Sequence, residues 1–250
     1  MSKRKPATNG NLLRTTAHAL VLSSACLVLW PASAAAKAVP VELRQTEHGW
    51  QLLRGGEPYF IRGAGGEGSL EQLAAAGANS VRTWGADDID ARLDAAHALG
   101  LSVTVGIWLG HERHGFDYND KTQIREQLER ARATVLRYKD HPAVLLWGIG
   151  NEMEGFGEGD NPAIWKAVND IAAVVKKLDP LHPTMTVTAE LGGGRIDGVH
   201  KRCPAIDIHG IRRLESPTTG RGVLDDTSQT PLIFALVPGR VFLPKHPERQ

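Results

Sequence analysis

The sequence predicts an α/β protein with a (β/α)8 TIM-barrel-like sheet, incomplete, in which about six β/α units are present. Two observations carry that expectation. Short apolar runs alternate with segments of helical periodicity along most of the chain. Polar and aromatic residues then recur where those runs end, which is where barrels of this kind place their working side chains.

The pattern opens at Val41 with a probable hairpin, "VELRQTEHGWQLLRGGEPYFIRG", broken at His48-Gly49 and Gly55-Gly56. Six apolar runs suit buried parallel strands: "YFIRG", "SVRTW", "LSVTVGIWL", "AVLLWGIG", "TMTVTA" and "AIDIHGI". Between them lie the helices. Ser69 to Gln72 forms a capping box ahead of Leu70, Leu73 and Ala74, and Gly77 stops that helix. Asp87 and Asp88 are expected to open a second helix, carrying Ile89, Leu93 and Ala96 up to Gly100. Ile124, Leu128, Ala131 and Val135 mark a third. Asn161-Pro162 caps a fourth that buries Ile164, Val168, Ile171, Val175 and Leu178 before Asp179-Pro180 ends it. A weaker fifth runs from Gly193 to about Lys201.

Repeated right-handed β-α units fit two architectures, a doubly wound open sheet and a barrel short of its last units. No GxxxxGK[ST] loop follows the first strand, and "GAGGEG" at 63–68 is not expected to cradle a phosphate, so the barrel is preferred.

Residues 1–36 stand apart from the fold. Lys3, Arg4, Lys5 and Arg14 precede an apolar run, Ala19 to Trp30, and then the small-residue stretch "PASAAAKA". That is the pattern of a secretory signal peptide, implying a secreted or periplasmic protein with no stable membrane anchor after cleavage. The apolar run is shorter than the roughly 20 residues of a spanning helix. Without the leader the chain carries 25 basic and 28 acidic residues, a net of −3, and no Lys/Arg-rich stretch. Nucleic acid is therefore not an expected partner. Cys203 is then a lone thiol, so no intrachain disulfide is expected.

The strand-end residues are Arg82 and Trp84, then Trp108 and His111, then Asn151 and Glu152, then Glu190, then His209. Aromatic faces stack on sugar rings while amides and carboxylates bind hydroxyls, so a carbohydrate is the expected partner. His111, Glu112 and His114 match no helical metal motif, and neither a metal nor another cofactor is implied. Glu154 and Glu158, in a glycine-rich loop, are expected to be solvated.

"GEPYFIRGAGG", "ANSVRTWG" and "HPAVLLWGIGNEME" resemble the catalytic barrel of glycoside hydrolase family 2, within a wider clan of retaining glycosidases that carries Asn-Glu at the end of strand four. The resemblance spans roughly Gly49 to Ile211. It implies an O-glycosyl hydrolase with Glu152 as general acid/base, its pKa raised beside Trp147 or Trp108. It also implies Asn151 on the sugar 2-hydroxyl and Arg82 orienting a nucleophilic carboxylate. Trp84, Trp108, His111 and His209 are the expected substrate contacts. The implied nucleophile, a Glu ending strand seven, has no match, since "PLIFALVPG" ends without a carboxylate. Glu190 is the nearest stand-in. Residues 212–250 depart from the family pattern and are expected to be a divergent or aberrant tail, so that three domains follow: 1–36, 37–211 and 212–250. A non-catalytic carbohydrate-binding protein, or an inactive fragment, is the alternative.

Overall fold

The computed structural model describes residues 37–47, 49–154, 161–188 and 195–211. The expected leader, Glu158, Glu190 and the tail 212–250 lie outside the described residues.

Two sheets form. The first is antiparallel, β1 (Val41–Thr46), β2 (Gly49–Arg54) and β3 (Glu57–Pro58) in that order. Gly55 and Gly56 both take positive φ at the β2–β3 turn, as a two-residue hairpin loop of matching twist requires. The second sheet is parallel, with β4 (Gly63–Gly65), β5 (Ser80–Arg82), β6 (Ser102–Ile107), β7 (Val144–Ile149), β8 (Thr184–Thr188) and β9 (Ile208–Ile211) side by side in chain order. The helices α1 (Leu70–Ala75), α2 (Asp90–Ala98), α3 (Lys121–Tyr138), α4 (Pro162–Leu178) and α5 (Arg195–Arg202) link successive strands.

Strand order separates the two architectures. Gly63, Gly65 and Gly68 do have GxGxxG spacing. A doubly wound sheet, however, reverses its strand order at the nucleotide-binding crevice, and this sheet never reverses. Right-handed crossovers between consecutive strands put every helix on one face, which is the layout of a barrel wall. The packing agrees, since Leu70, Leu93, Ala131, Ile164 and Val199, one from each helix, share a single core with Val81, Val103, Val105, Trp147 and Ile149.

The opposite, inner face is narrower in composition. Leu146, Met185, Val187 and Ile208 pack there with Val41, Leu52, Tyr59 and Ile61, so the hairpin sheet closes the inner face from below. Its anchors all land just before strands begin. Val41 N–H bonds the Leu181 carbonyl, Arg54 Nη2 the Pro142 carbonyl, and Tyr59 Oη the Asn79 carbonyl. The floor is therefore built at the amino ends of the strands, and the carboxyl ends remain for the site.

Three local expectations need correction. "YFIRG" does not form the first barrel strand, which begins only at Gly63. Asn79 holds this segment with its side chain, accepting from Arg62 N–H and donating to the Phe60 carbonyl, so these groups do not enter a ladder. The second helix does not open at Asp87-Asp88. Asp88 sits at φ 49, and the helix starts at Asp90 behind Ile89, which supplies no side-chain cap. The Asp90 carboxylate is instead taken by Arg137 and Tyr138 of α3. Glu154 is not solvated but buried. The α1 and α4 signals match the structure closely, with Ser69 Oγ accepting from Gln72 N–H and Asn161 Oδ1 from Ala163 N–H.

Candidate active site

Alternation along the strands decides which residues see the interior. Arg82 pairs with Thr104 across β5–β6, and Thr104 with Leu146 across β6–β7. Gly148 lies beside both, because a Cβ built there would stand 3.6 Å from Arg82 Nε and from Thr104 Cγ2. A side chain at 148 would compete for the room in which the guanidinium lies, and glycine leaves it open.

Arg82 is 2% exposed. Its guanidinium stacks on Trp84, 4.7 Å from Cζ to the ring centroid, and its Nη2 points at the Gly150 carbonyl 3.4 Å away. Burial pulls its pKa down to about 10, against the attraction of Glu152, which favours the charged form. Arg82 and Glu152 thus come from different strand ends and meet electrostatically.

The segment that carries Glu152 is conformationally tense. Gly150 (φ 65) and Glu152 (φ 51) both adopt left-handed backbone, and for Glu152 that is uncommon. At Gly150 any Cβ would meet Met153 Cγ at 2.6 Å, so only glycine fits. The turn is locked from the neighbouring strand by Glu152 N–H donating to the Val187 carbonyl at 2.8 Å. Glu152 is buried, and Asn151 beside it is half-buried.

The loop after β6 supplies the aromatic side. Gly110 is held on both sides, its N–H by Gln127 Oε1 and its carbonyl by Tyr118 Oη, both at 2.7 Å. That clamp presents Trp108, which is 49% exposed, with its ring 5.2 Å from His111. His111 is buried. Burial lowers its pKa, the charges of Arg113 and His114 lower it further, and Glu152 opposes them. Asn161, the α4 cap, also donates to Glu112 Oε1, tying this loop to the start of α4.

Arg82, Trp84, Trp108, His111, Asn151 and Glu152 therefore all stand at the carboxyl ends of β5, β6 and β7, with Glu152 interacting electrostatically with both Arg82 and His111. Two expected residues do not join them. Trp147 lies on the helix side, where its indole N–H bonds Asp179 Oδ2, so it does not flank Glu152. His209 also faces outward. Its strand neighbour Ile208 belongs to the inner cluster, whereas His209 Nε2 contacts Thr188 Oγ1 and the ring feels His200 of α5. Expecting a substrate contact there ignored the period-2 alternation of the strand. Sequence reasoning also missed Gln127 and Tyr118, whose importance lies in a clamp that no motif signals.

The misplaced histidine has a measurable consequence. Burial pushes the His209 pKa down to about 4, with His200 adding to the shift. Above the ordinary value of 6.5 it costs nothing. As pH falls below that, the unfolded chain takes up a proton that the folded chain refuses until about pH 4. Folding should lose up to about 3 kcal/mol across this window. Urea unfolding of His209→Gln against the parent should show a flatter dependence between those two pH values.

Residues 72–225 match the family model described as glycosyl hydrolases family 2, TIM barrel domain. The chain belongs to glycosyl hydrolase family 2. The family 2 match continues past Ile211, where the pattern was expected to break, and begins after the hairpin and β4. A relative described as a probable mannan endo-1,4-beta-mannosidase C from Aspergillus terreus is 26% identical over 157 residues, covering 52% of this chain and 38% of that protein. A beta-D-glucuronidase from Dictyoglomus thermophilum shares the fold at TM-score 0.53 and 22% identity, covering 70% of this chain and 32% of that one. A glycosyl hydrolase family 2 member from Bacteroides cellulosilyticus DSM 14838 does so at TM-score 0.54 and 23% identity, with 70% and 24% covered. This family 2 chain thus spans well under half the length of these relatives.

Proposed function

We propose that the chain carries the acid/base half of a retaining O-glycosyl hydrolase site acting on carbohydrate outside the cytoplasm. The observation that carries this is the placement of Glu152 at the end of β7, in a strained turn and within the electrostatic reach of Arg82 and His111. Glu152 would protonate the departing glycosidic oxygen. Asn151 would hydrogen-bond the adjacent 2-hydroxyl, a contact that strengthens as the ring gains oxocarbenium character. Trp108 would stack on a sugar face, and Trp84 would hold Arg82 in place. Retention further needs a carboxylate about 5 Å from the acid, and the resemblance assigns it to a seventh strand, beyond the six described.

The exposed face of Trp108 supports a second reading, a carbohydrate-binding protein that keeps Trp84, Trp108 and Asn151 without turnover. Calorimetry with β-linked oligosaccharides, run beside release of an aryl group from a panel of aryl glycosides, separates the two. Turnover of any glycoside supports the hydrolase, binding heat with no turnover supports the binding protein, and neither signal overturns both.

A further inference from the structure

Two buried polar side chains converge on one glycine of the loop that follows β6. Gln127 and Tyr118 are each 2% exposed, and each makes a 2.7 Å hydrogen bond to the Gly110 backbone. A third contact covers the α carbon, because a Cβ at Gly110 would run into the Phe116 ring. Phe116 in turn packs on Tyr118, with ring centroids 4.6 Å apart. Gly110 is thus gripped at its N–H, its carbonyl and its α carbon, between Trp108 and His111 in the chain. Beyond His111 the same loop is tied to Asn161 through Glu112.

Packing alone does not account for the grip. Gln127 shares the buried stripe of α3 with Ala131, Val135 and Tyr138, a row that otherwise faces the apolar core. An amide there must be hydrogen-bonded to be tolerated, whereas a methionine of similar volume would fill the space without that demand. Tyr118 has the same character. Burial pushes its pKa up to about 12, so its hydroxyl stays a donor throughout the neutral range.

We propose that Gln127 and Tyr118 are positioning residues that fix the backbone from which Trp108 and His111 project, and so set substrate affinity rather than the rate of bond cleavage. Both act through Gly110. A ring already held in its bound orientation has less freedom to lose when a sugar stacks on it, and that gain is equal in ground and transition state. The kinetic half of this proposal rests on the hydrolase reading, whereas the clamp itself does not.

Gln127→Met and Tyr118→Phe, made in the full chain, each delete one of these hydrogen bonds while preserving shape. Tyr138→Phe is the matched control, since it deletes a 3.0 Å bond from the last residue of α3 to Asp90. On the aryl glycoside that the parent turns over fastest, KM should rise about three- to tenfold in both clamp variants with kcat unchanged, the effect of one lost hydrogen bond. Tyr138→Phe should leave both constants as in the parent. A second readout needs no turnover. In the parent, burial, Arg113 and His114 lower the His111 pKa against the pull of Glu152. In the clamp variants the loop loosens and water reaches the ring, so His111 should titrate closer to the ordinary 6.5 by NMR. A fall in kcat with KM unchanged, or no kinetic change at all, would overturn the proposal. So would a His111 titration identical in parent and clamp variants, or one moved as far by Tyr138→Phe. If the parent turns over no glycoside, the hydrolase reading fails by itself and the His111 titration alone decides the clamp.

Discussion

Glu152→Gln is expected to slow cleavage of an aryl glycoside by about 10²–10⁴-fold, the range of a lost general acid. Glutamine preserves size and faces the same left-handed backbone, but it removes the charge that favours the buried Arg82 cation, so a modest fall in Tm is expected beside the much larger loss of rate. The deficit should depend on the leaving group. A phenol that leaves readily as its anion needs little help from a proton, whereas a sugar or alkyl alcohol needs a great deal. Rates plotted against leaving-group basicity should therefore fall more steeply for the variant than for the parent. Equal rates on a poor leaving group would remove Glu152 from the mechanism.

Asp179→Ala should be the most damaging change to the fold, at about 3–5 kcal/mol, the cost of leaving buried polar groups without their charged partner. The carboxylate accepts from Trp147 Nε1 at 2.8 Å, from the Leu181 N–H at 3.0 Å and lies 2.7 Å from His182 Nδ1. Burial opposes its ionisation, but the His182 hydrogen bond and charge, with the Trp147 and Leu181 donors, hold its pKa below the ordinary 3.8. With a depressed folded pKa, this stabilisation is full above about pH 4 and fades only as pH falls further. The network joins the end of α4, the strand β7 and the entry to β8, so its loss should loosen the wall that carries Glu152. A fall in the urea midpoint with an unchanged slope would report stability alone. Asp179→Asn retains one acceptor oxygen and should cost less.

What could be read from the chain was whatever rests on local chemistry. Asn161-Pro162 announces a helix start because an amide acceptor and a fixed φ act within one turn, and α4 begins there. The order of strands and the Asn151-Glu152 strand end were legible for the same reason. What escaped depends on neighbours distant in the chain. Nothing near Phe60 or Arg62 shows that Asn79 will occupy their backbone groups. Glu154 follows the site in a glycine-rich stretch and looks solvated until the packed wall around it is seen. His209 was within reach, since Ile208 and Gly210 flank it and only one side of that alternation can face the interior.

The chain-order arrangement of the parallel strands also bears on how the molecule comes into being. Each strand docks on the one made just before it, so a nascent chain leaving the ribosome always finds its template already present. Among the described strands of this sheet none waits for a partner encoded much later, and every pairing step spans a single strand-to-strand connection. Growth proceeds at one advancing border, which moves from β4 to β9 as synthesis continues. The turn after β7 that carries Glu152 is thus laid down upon a wall that has already begun to set.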